Sequence, residues 1–271
     1  MSSPWPLLLL LLLLGALPVP ALVAAEGEAL PPAAACGAPP ELLETGGAAL
    51  PATARAIAEG SLRVLVTGSA SVLGPGTSGP AATWPARLEA LLEARHPGLR
   101  VETVVRGARG LTAADTAALI AEELSRAGGA AQVHLVLWQT GTVEAVRGLE
   151  VDELVEALDT GLERLQAAGA DAVLVDPQFS RFLRANAHVD PYREAMRLVA
   201  VAHGVPLLRR YELMRLWAET EVVDLERAPK GARTAAADRL NDCLARALAV
   251  LLQGGLAEAR DGAAAASSPR Q

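Results

Sequence analysis

From residue 62 onward, short runs of Val and Leu alternate with longer stretches whose apolar positions recur every three or four residues. The run Leu62-Arg63-Val64-Leu65-Val66 predicts a strand that ends at Gly68. Helical spacing predicts a helix over 84–95, stopped by His96-Pro97-Gly98. A second strand over 100–105 enters Gly107 and Gly110. Thr112 and Asp115 suit the first turn of a helix over 112–127. A third strand over 133–138 is followed by Gly141, and a helix over 151–168 closes at Gly169. A fourth strand over 172–175 runs into Asp176-Pro177. A helix over 191–202, a short fifth strand over 205–208, and helices over 211–219 and 238–252 complete the pattern.

Continuously apolar strands, each followed by a helix, indicate a parallel sheet covered on both faces. We therefore expect one α/β domain, layered α/β/α, over residues 45–253, with no internal repeat and no second domain. In such sheets a site lies outside the carboxyl ends of the strands. The segments to inspect are 67–71, 106–110, 139–144 and 176–182.

The ends of the chain break this pattern. Residues 5–25 carry no charge, Leu7 to Leu14 is unbroken Leu, and small residues close the stretch before Glu26. Residues 1–25 read as a signal peptide cleaved near Ala25, which makes the protein exported, either periplasmic or secreted. Its first residues lack Lys and Arg. The competing reading is a retained leader that anchors the protein in a membrane. Pro6, Pro18 and Pro20 leave a short apolar centre and favour cleavage. Residues 26–44 are Pro- and Ala-rich and read as an extended lead-in. Residues 254–271, rich in Gly, Ala and Ser, read as a disordered tail.

Composition narrows the function. With 51% hydrophobic residues in 271, the chain has enough apolar side chains for a core, and wholesale disorder is excluded. A net charge of −7, without a basic cluster, excludes a nucleic-acid partner. Export changes the meaning of Cys36 and Cys243. Two isolated cysteines in an oxidising compartment pair, tying the lead-in to the last helix; the alternative is two buried free thiols. Neither has the neighbours of a nucleophile or a metal set, and no cofactor or metal is expected.

Four strand-end segments carry candidate chemistry. They are Gly68-Ser69-Ala70-Ser71-Val72-Leu73-Gly74, Val105-Arg106-Gly107-Ala108-Arg109-Gly110-Leu111-Thr112, Trp138-Gln139-Thr140-Gly141-Thr142-Val143-Glu144, and Pro229-Lys230-Gly231-Ala232-Arg233. In this order they resemble the conserved blocks of the SGNH hydrolases, also called the GDSL esterase/lipase family. The resemblance covers most of the chain between residues 45 and 250. It implies a five-stranded parallel, flavodoxin-like sheet, and ester, glycan or lipid ligands. It also implies a Ser nucleophile, a His base oriented by Asp, and an oxyanion hole built from the Ser and Gly N–H groups with an Asn side chain.

Carried over position by position, most of that machinery is replaced. The Ser position holds Ala70, the Asn position Val143, and the Asp and His positions Lys230 and Arg233; Gly110 remains as a backbone donor. Ala and Val side chains neither attack nor donate, and Arg is no base because its pKa lies above about 12. No His follows His203, so a base before the last helix is impossible.

Several residues keep two readings. Ser69 or Ser71 is either a nucleophile displaced by one position or a hydroxyl bonded to local backbone. His188, near Asp176 and Asp190 in sequence, is either a base reaching the site mouth or a surface loop residue. Arg106, Arg109, Lys230 and Arg233 are either solvated or converge on an anionic or sugar-like ligand, with Asp176 a further binding candidate. The expectation is an exported, catalytically degenerate member of this fold that binds an ester, glycan or lipid. The alternatives are an active esterase or acyltransferase using Ser69 or Ser71, and a structural envelope domain.

Overall fold

A computed structural model of the protein describes residues 36–126 and 132–267. Five strands form one all-parallel sheet in the order β2-β1-β3-β4-β5. They are β1 (Ser61–Gly68), β2 (Arg100–Gly107), β3 (Leu135–Gln139), β4 (Asp171–Val175) and β5 (Leu207–Leu208). The helices are α1 (Pro51–Ala58), α2 (Trp84–Arg95), α3 (Ala113–Arg126), α4 (Thr142–Arg147), α5 (Val151–Ala167), α6 (Arg181–Asn186), α7 (Asp190–His203), α8 (Arg210–Glu219) and α9 (Arg233–Ser267).

The two-residue period of the strands divides the core into two layers. Leu135, Leu137, Val173 and Val175 face one side, with β1 residues Leu62, Val64 and Val66. There they meet Leu88 and Leu92 of α2 and the Leu240, Leu244, Leu248, Leu251 stripe of α9. Val136, Trp138, Ala172 and Leu174 face the other side, against Ile120 of α3, Leu158 of α5 and Met196 of α7. This is the expected three-layer α/β/α fold. No described helix is long and apolar enough to cross a membrane.

Three helices escape the sequence reading because they are short: α1, α4 and α6 have 8, 6 and 6 residues. Side-chain caps start two of them. α1 opens with Pro51, and the Thr53 N–H and hydroxyl both donate to the Asp171 carboxylate at 2.7 Å, so a residue of β4 caps it. In α6 the Ser180 hydroxyl accepts from the Leu183 N–H at 2.9 Å.

The chain ends need one confirmation and one correction. Cys36 and Cys243 form a disulfide with Cα atoms 5.5 Å apart, so the lead-in is tied to α9 as expected. Ala38 and Leu43 of that lead-in are buried. The expected tail is corrected: α9 continues from Gly254 through Ser267. Two glycines, each costing about 1 kcal/mol of helix propensity, suggested a stop. Tertiary contact overrides them. The Leu50 N–H donates to the Gly255 carbonyl at 2.9 Å, and a Cβ on Gly255 would stand 2.7 Å from Leu50 Cδ1. The glycine lets the buried Leu50 lie against the helix. The leader at 1–25 lies outside the described residues.

Candidate functional site

The carboxyl ends of β1, β3 and β4 and the start of α8 meet in one polar network. After β1 the chain passes Ser69 and makes a 3-10 turn over Ala70–Leu73, which ends at Gly74 in the left-handed region. Ser69 and Ser71 flank Ala70 and both meet Gln139, the last residue of β3. The Ser71 hydroxyl donates to Gln139 Oε1 at 2.6 Å, and Gln139 Nε2 donates to Ser69 Oγ at 3.0 Å. Arg210 Nη1 donates to Ser71 Oγ at 3.2 Å.

Arg210 is 4% exposed and opens α8 immediately after β5. Asp176, 2% exposed, stands at the end of β4 and accepts from the Tyr211 N–H at 2.8 Å. Arg193 of α7 approaches it, with Nε 3.6 Å from Asp176 Oδ2, an ion-pair distance too long for a hydrogen bond. The same guanidinium pairs with Glu212 and Asp190 and lies 4.1 Å from the centre of the Tyr211 ring. Burial pushes the Asp176 carboxyl up to about 7, against the pull of the Tyr211 N–H and of the Arg193 and Arg210 guanidiniums. Burial pulls Arg210 down to about 10, with the charge of Asp176 opposing, so it stays cationic at neutral pH.

This arrangement limits the chemistry. A serine nucleophile needs an adjacent base to take its proton. The Ser71 proton is aimed at an amide oxygen, and the cation beside Ser71 only donates. Among the described residues, no His, Asp or Glu side chain is hydrogen-bonded to either serine.

The remaining predicted positions fall elsewhere. Gly110 lies in the turn between β2 and α3, beneath the Arg147 guanidinium of α4; a Cβ there would sit 2.9 Å from Arg147 Nη2. Val143 is half-buried in α4. Lys230 and Arg233 are exposed where a 3-10 turn enters α9. That end of α9 docks on the loop after β1, because the Ser78 N–H donates to Asp238 at 2.8 Å. The first and fourth segments are thus neighbours.

The members of the basic group are all exposed. Arg106 is engaged by Glu123 of α3 at 2.7 Å, and Arg109 is exposed. His188 is exposed between α6 and α7, and no hydrogen bond joins it to Ser69, Ser71 or Asp176 among the described residues. The other histidines serve the fold. His134 Nδ1 accepts from the Arg63 N–H at the opposite strand ends, and His203 meets Asp159 at 2.9 Å. Burial, with the nearby charges of Arg95 and Arg260, lowers the pKa of His96.

Sequence reading missed Gln139 and Arg210 as network members. Gln139 stood in an inspected segment but received no role. Arg210 lies in none of the inspected segments, because those segments follow the first four strands and Arg210 follows β5. Applied to β5, the strand-end rule points to Arg209-Arg210-Tyr211-Glu212.

Beside Ser71 and Arg210 lies a cavity of about 140 Å³, bounded by α2, α8, α9 and the loop after β4. Its walls include Trp84, Phe179, Met214, Val223, Leu240 and Leu244. Ala70, Gly110, Val143, Lys230 and Arg233 do not line it. Its rim is strapped by Arg181, which pairs with Asp224 at 2.9 Å and donates its N–H to Glu226 at 2.7 Å.

Comparison with known proteins agrees with this architecture. Among solved structures, the chain is similar to the crystal structure of TesA, with TM-score 0.55, 20% identity, 70% of this chain and 99% of that one covered. It is similar to AlinE4, an SGNH-hydrolase family esterase, with TM-score 0.50 and 19% identity over 78% of this chain and 98% of that one. It is also similar to the psychrotrophic esterase EstA from Pseudoalteromonas sp., with TM-score 0.50 and 15% identity over 66% and 94% of the two chains. Similarity at these identities establishes the fold. A search of curated proteins finds no match. The sequence model of the non-GDSL lipase-like family matches residues 35–258. With that match spanning most of the chain, the protein belongs to the non-GDSL lipase-like family.

Proposed function

We propose that this protein is an exported, non-catalytic SGNH-fold module that binds a ligand rather than turning it over. One observation carries the reading. Both serine hydroxyls beside Ala70 are held by Gln139 and Arg210, and among the described residues neither has a base. Deprotonating Ser71 would require an acceptor, and its surroundings supply an amide oxygen and a cation. The replacements Ala70 and Val143 support the same reading, since an oxyanion hole without its Asn loses a donor that typically contributes about 10²–10³ in rate. The Cys36–Cys243 disulfide supports an oxidising compartment, and with it export.

The test is labelling of the purified protein with a fluorophosphonate, together with turnover of p-nitrophenyl esters. We expect no covalent adduct and no turnover above background. Labelling or hydrolysis that disappears in Ser69→Ala or Ser71→Ala would overturn the reading and establish a displaced nucleophile.

A further inference from the structure

Arg210 poses a problem that the loss of catalysis does not resolve. A buried cation without a partner is costly, so buried guanidiniums are paired with carboxylates or other acceptors. Arg210 is 4% exposed, yet among the described residues its one hydrogen bond is to the neutral Ser71 hydroxyl, and its Nε is buried with no partner. Asp176 acts on it through space, but its own hydrogen bond is from the Tyr211 N–H and its ion pair is with Arg193. Among the described residues, no carboxylate forms an ion pair with Arg210.

The same residue lines the 140 Å³ cavity, whose other walls are mostly apolar. Apart from the Gln178 amide, the charged and amide side chains that line it beside Arg210 are engaged within the protein. Asn241 accepts from the Trp84 N–H and donates to the Ala237 carbonyl, and Asp224 and Glu226 are held by Arg181. The cavity therefore offers one unmet charge, a cation, at the edge of an apolar chamber. Chambers of about 150 Å³ accept a molecule the size of benzene. An apolar pocket with a few convergent polar groups is the usual form of a small-molecule site.

We propose that this cavity binds a short-chain monocarboxylate, with its carboxylate on Arg210 and Ser71 and an apolar body of about four to six carbons among Trp84, Phe179, Met214 and Leu244. The proposal rests on the binding-module reading and names its ligand class. Ala70, Gly110, Val143, Lys230 and Arg233 do not line the cavity, whereas Ser71, the neighbour of Ala70, does. Guanidinium and carboxylate match in charge and in hydrogen-bond geometry, which gives a reason for an arginine rather than a lysine at this place.

The test is thermal unfolding of the full protein titrated with sodium hexanoate, against hexanamide and acetate at equal concentration and ionic strength. Hexanoate is expected to raise the melting temperature progressively with its logarithm of concentration once it exceeds the dissociation constant. Hexanamide lacks the charge and acetate lacks the apolar body, so neither is expected to raise it. Arg210→Leu is expected to abolish the hexanoate shift. Because that substitution also alters a buried network, Ala237→Leu serves as a second variant. Ala237 lines the cavity, and the larger side chain fills it while leaving Arg210 in place. Loss of the shift in Ala237→Leu supports the proposal. No shift with hexanoate in the wild type, an equal shift with hexanamide, or a shift that persists in Ala237→Leu overturns it. Ester turnover, read separately, bears on the non-catalytic reading alone.

Discussion

Burial of Asp176 beside two guanidiniums makes the end of β4 sensitive to pH. Its carboxyl is pushed up to about 7 in the folded protein, whereas an unfolded Asp titrates near about 4. The folded state thus holds the proton more tightly. Between those two values, the contribution of Asp176 to stability is fully present at the acid end and falls as pH rises. Asp176→Asn removes that dependence. Thermal unfolding at pH 5 and pH 8 should show the gap between wild type and variant moving in the variant's favour at pH 8; a constant gap would contradict the raised pKa. The serine positions give a second prediction. Ala70→Ser alone should yield no measurable ester hydrolysis, because the new hydroxyl enters a site without a base. Assay of p-nitrophenyl acetate turnover with the purified variant checks this. The four-fold change Ala70→Ser, Val143→Asn, Lys230→Asp and Arg233→His is the comparison that supplies the missing groups.

Helix positions are set by single close approaches. Trp138 at the end of β3 is fully buried, and its Nε1 donates to Thr116 Oγ1 of α3 at 2.7 Å. Helix α5 crosses directly over the indole at Gly161, where a Cβ would stand 2.4 Å from Trp138 Cη2. Gly161→Ala must therefore displace the ring or the helix. The expected cost is about 1–3 kcal/mol, the usual range for overpacking, offset in part by the better helix propensity of Ala. A lower urea midpoint with an unchanged slope would show it. Glu144 plays a comparable part in α4: its buried carboxylate accepts from the Ala113 N–H and the Thr140 hydroxyl, holding the start of α3 to the end of β3.

At the scale of the molecule, the disulfide joins residues 207 positions apart and closes nearly the whole domain into one covalent loop. In the chain-entropy picture so long a loop gives a large restriction of the unfolded state, and loss of a native disulfide costs about 2–5 kcal/mol. Replacing both Cys36 and Cys243 with Ala should lower the melting temperature markedly. The wild type treated with reductant should fall toward the same value. Equal stability of the two proteins under oxidising conditions would show that the bridge contributes little. The bridge ties the lead-in to the first half of α9, and the Leu50–Gly255 hydrogen bond ties the start of α1 to its far half, so both contacts should loosen together.

The layered α/β/α domain and most of its helices were legible because their signals are local. β1, β3 and β4 are apolar runs, and α2, α3, α5 and α7 carry apolar stripes long enough to read. The ordered strand-end segments likewise carry the resemblance to the SGNH hydrolases, with Ala70 and Val143 where that resemblance implies Ser and Asn. The short helix α1 was not legible, because its cap comes from Asp171, 118 residues away. The far half of α9 was hidden by Gly254-Gly255, whose helical state depends on packing against Thr45 and Leu50. The polar network was hidden for the same reason. Ser71, Gln139 and Arg210 lie up to 139 positions apart in the chain, and no local pattern marks them as partners. Sequence determined which side chains the chain carries to the ends of its strands. Only the parallel order of the sheet, which sets β1, β3 and β4 side by side with β5 at their edge, decided which of them meet.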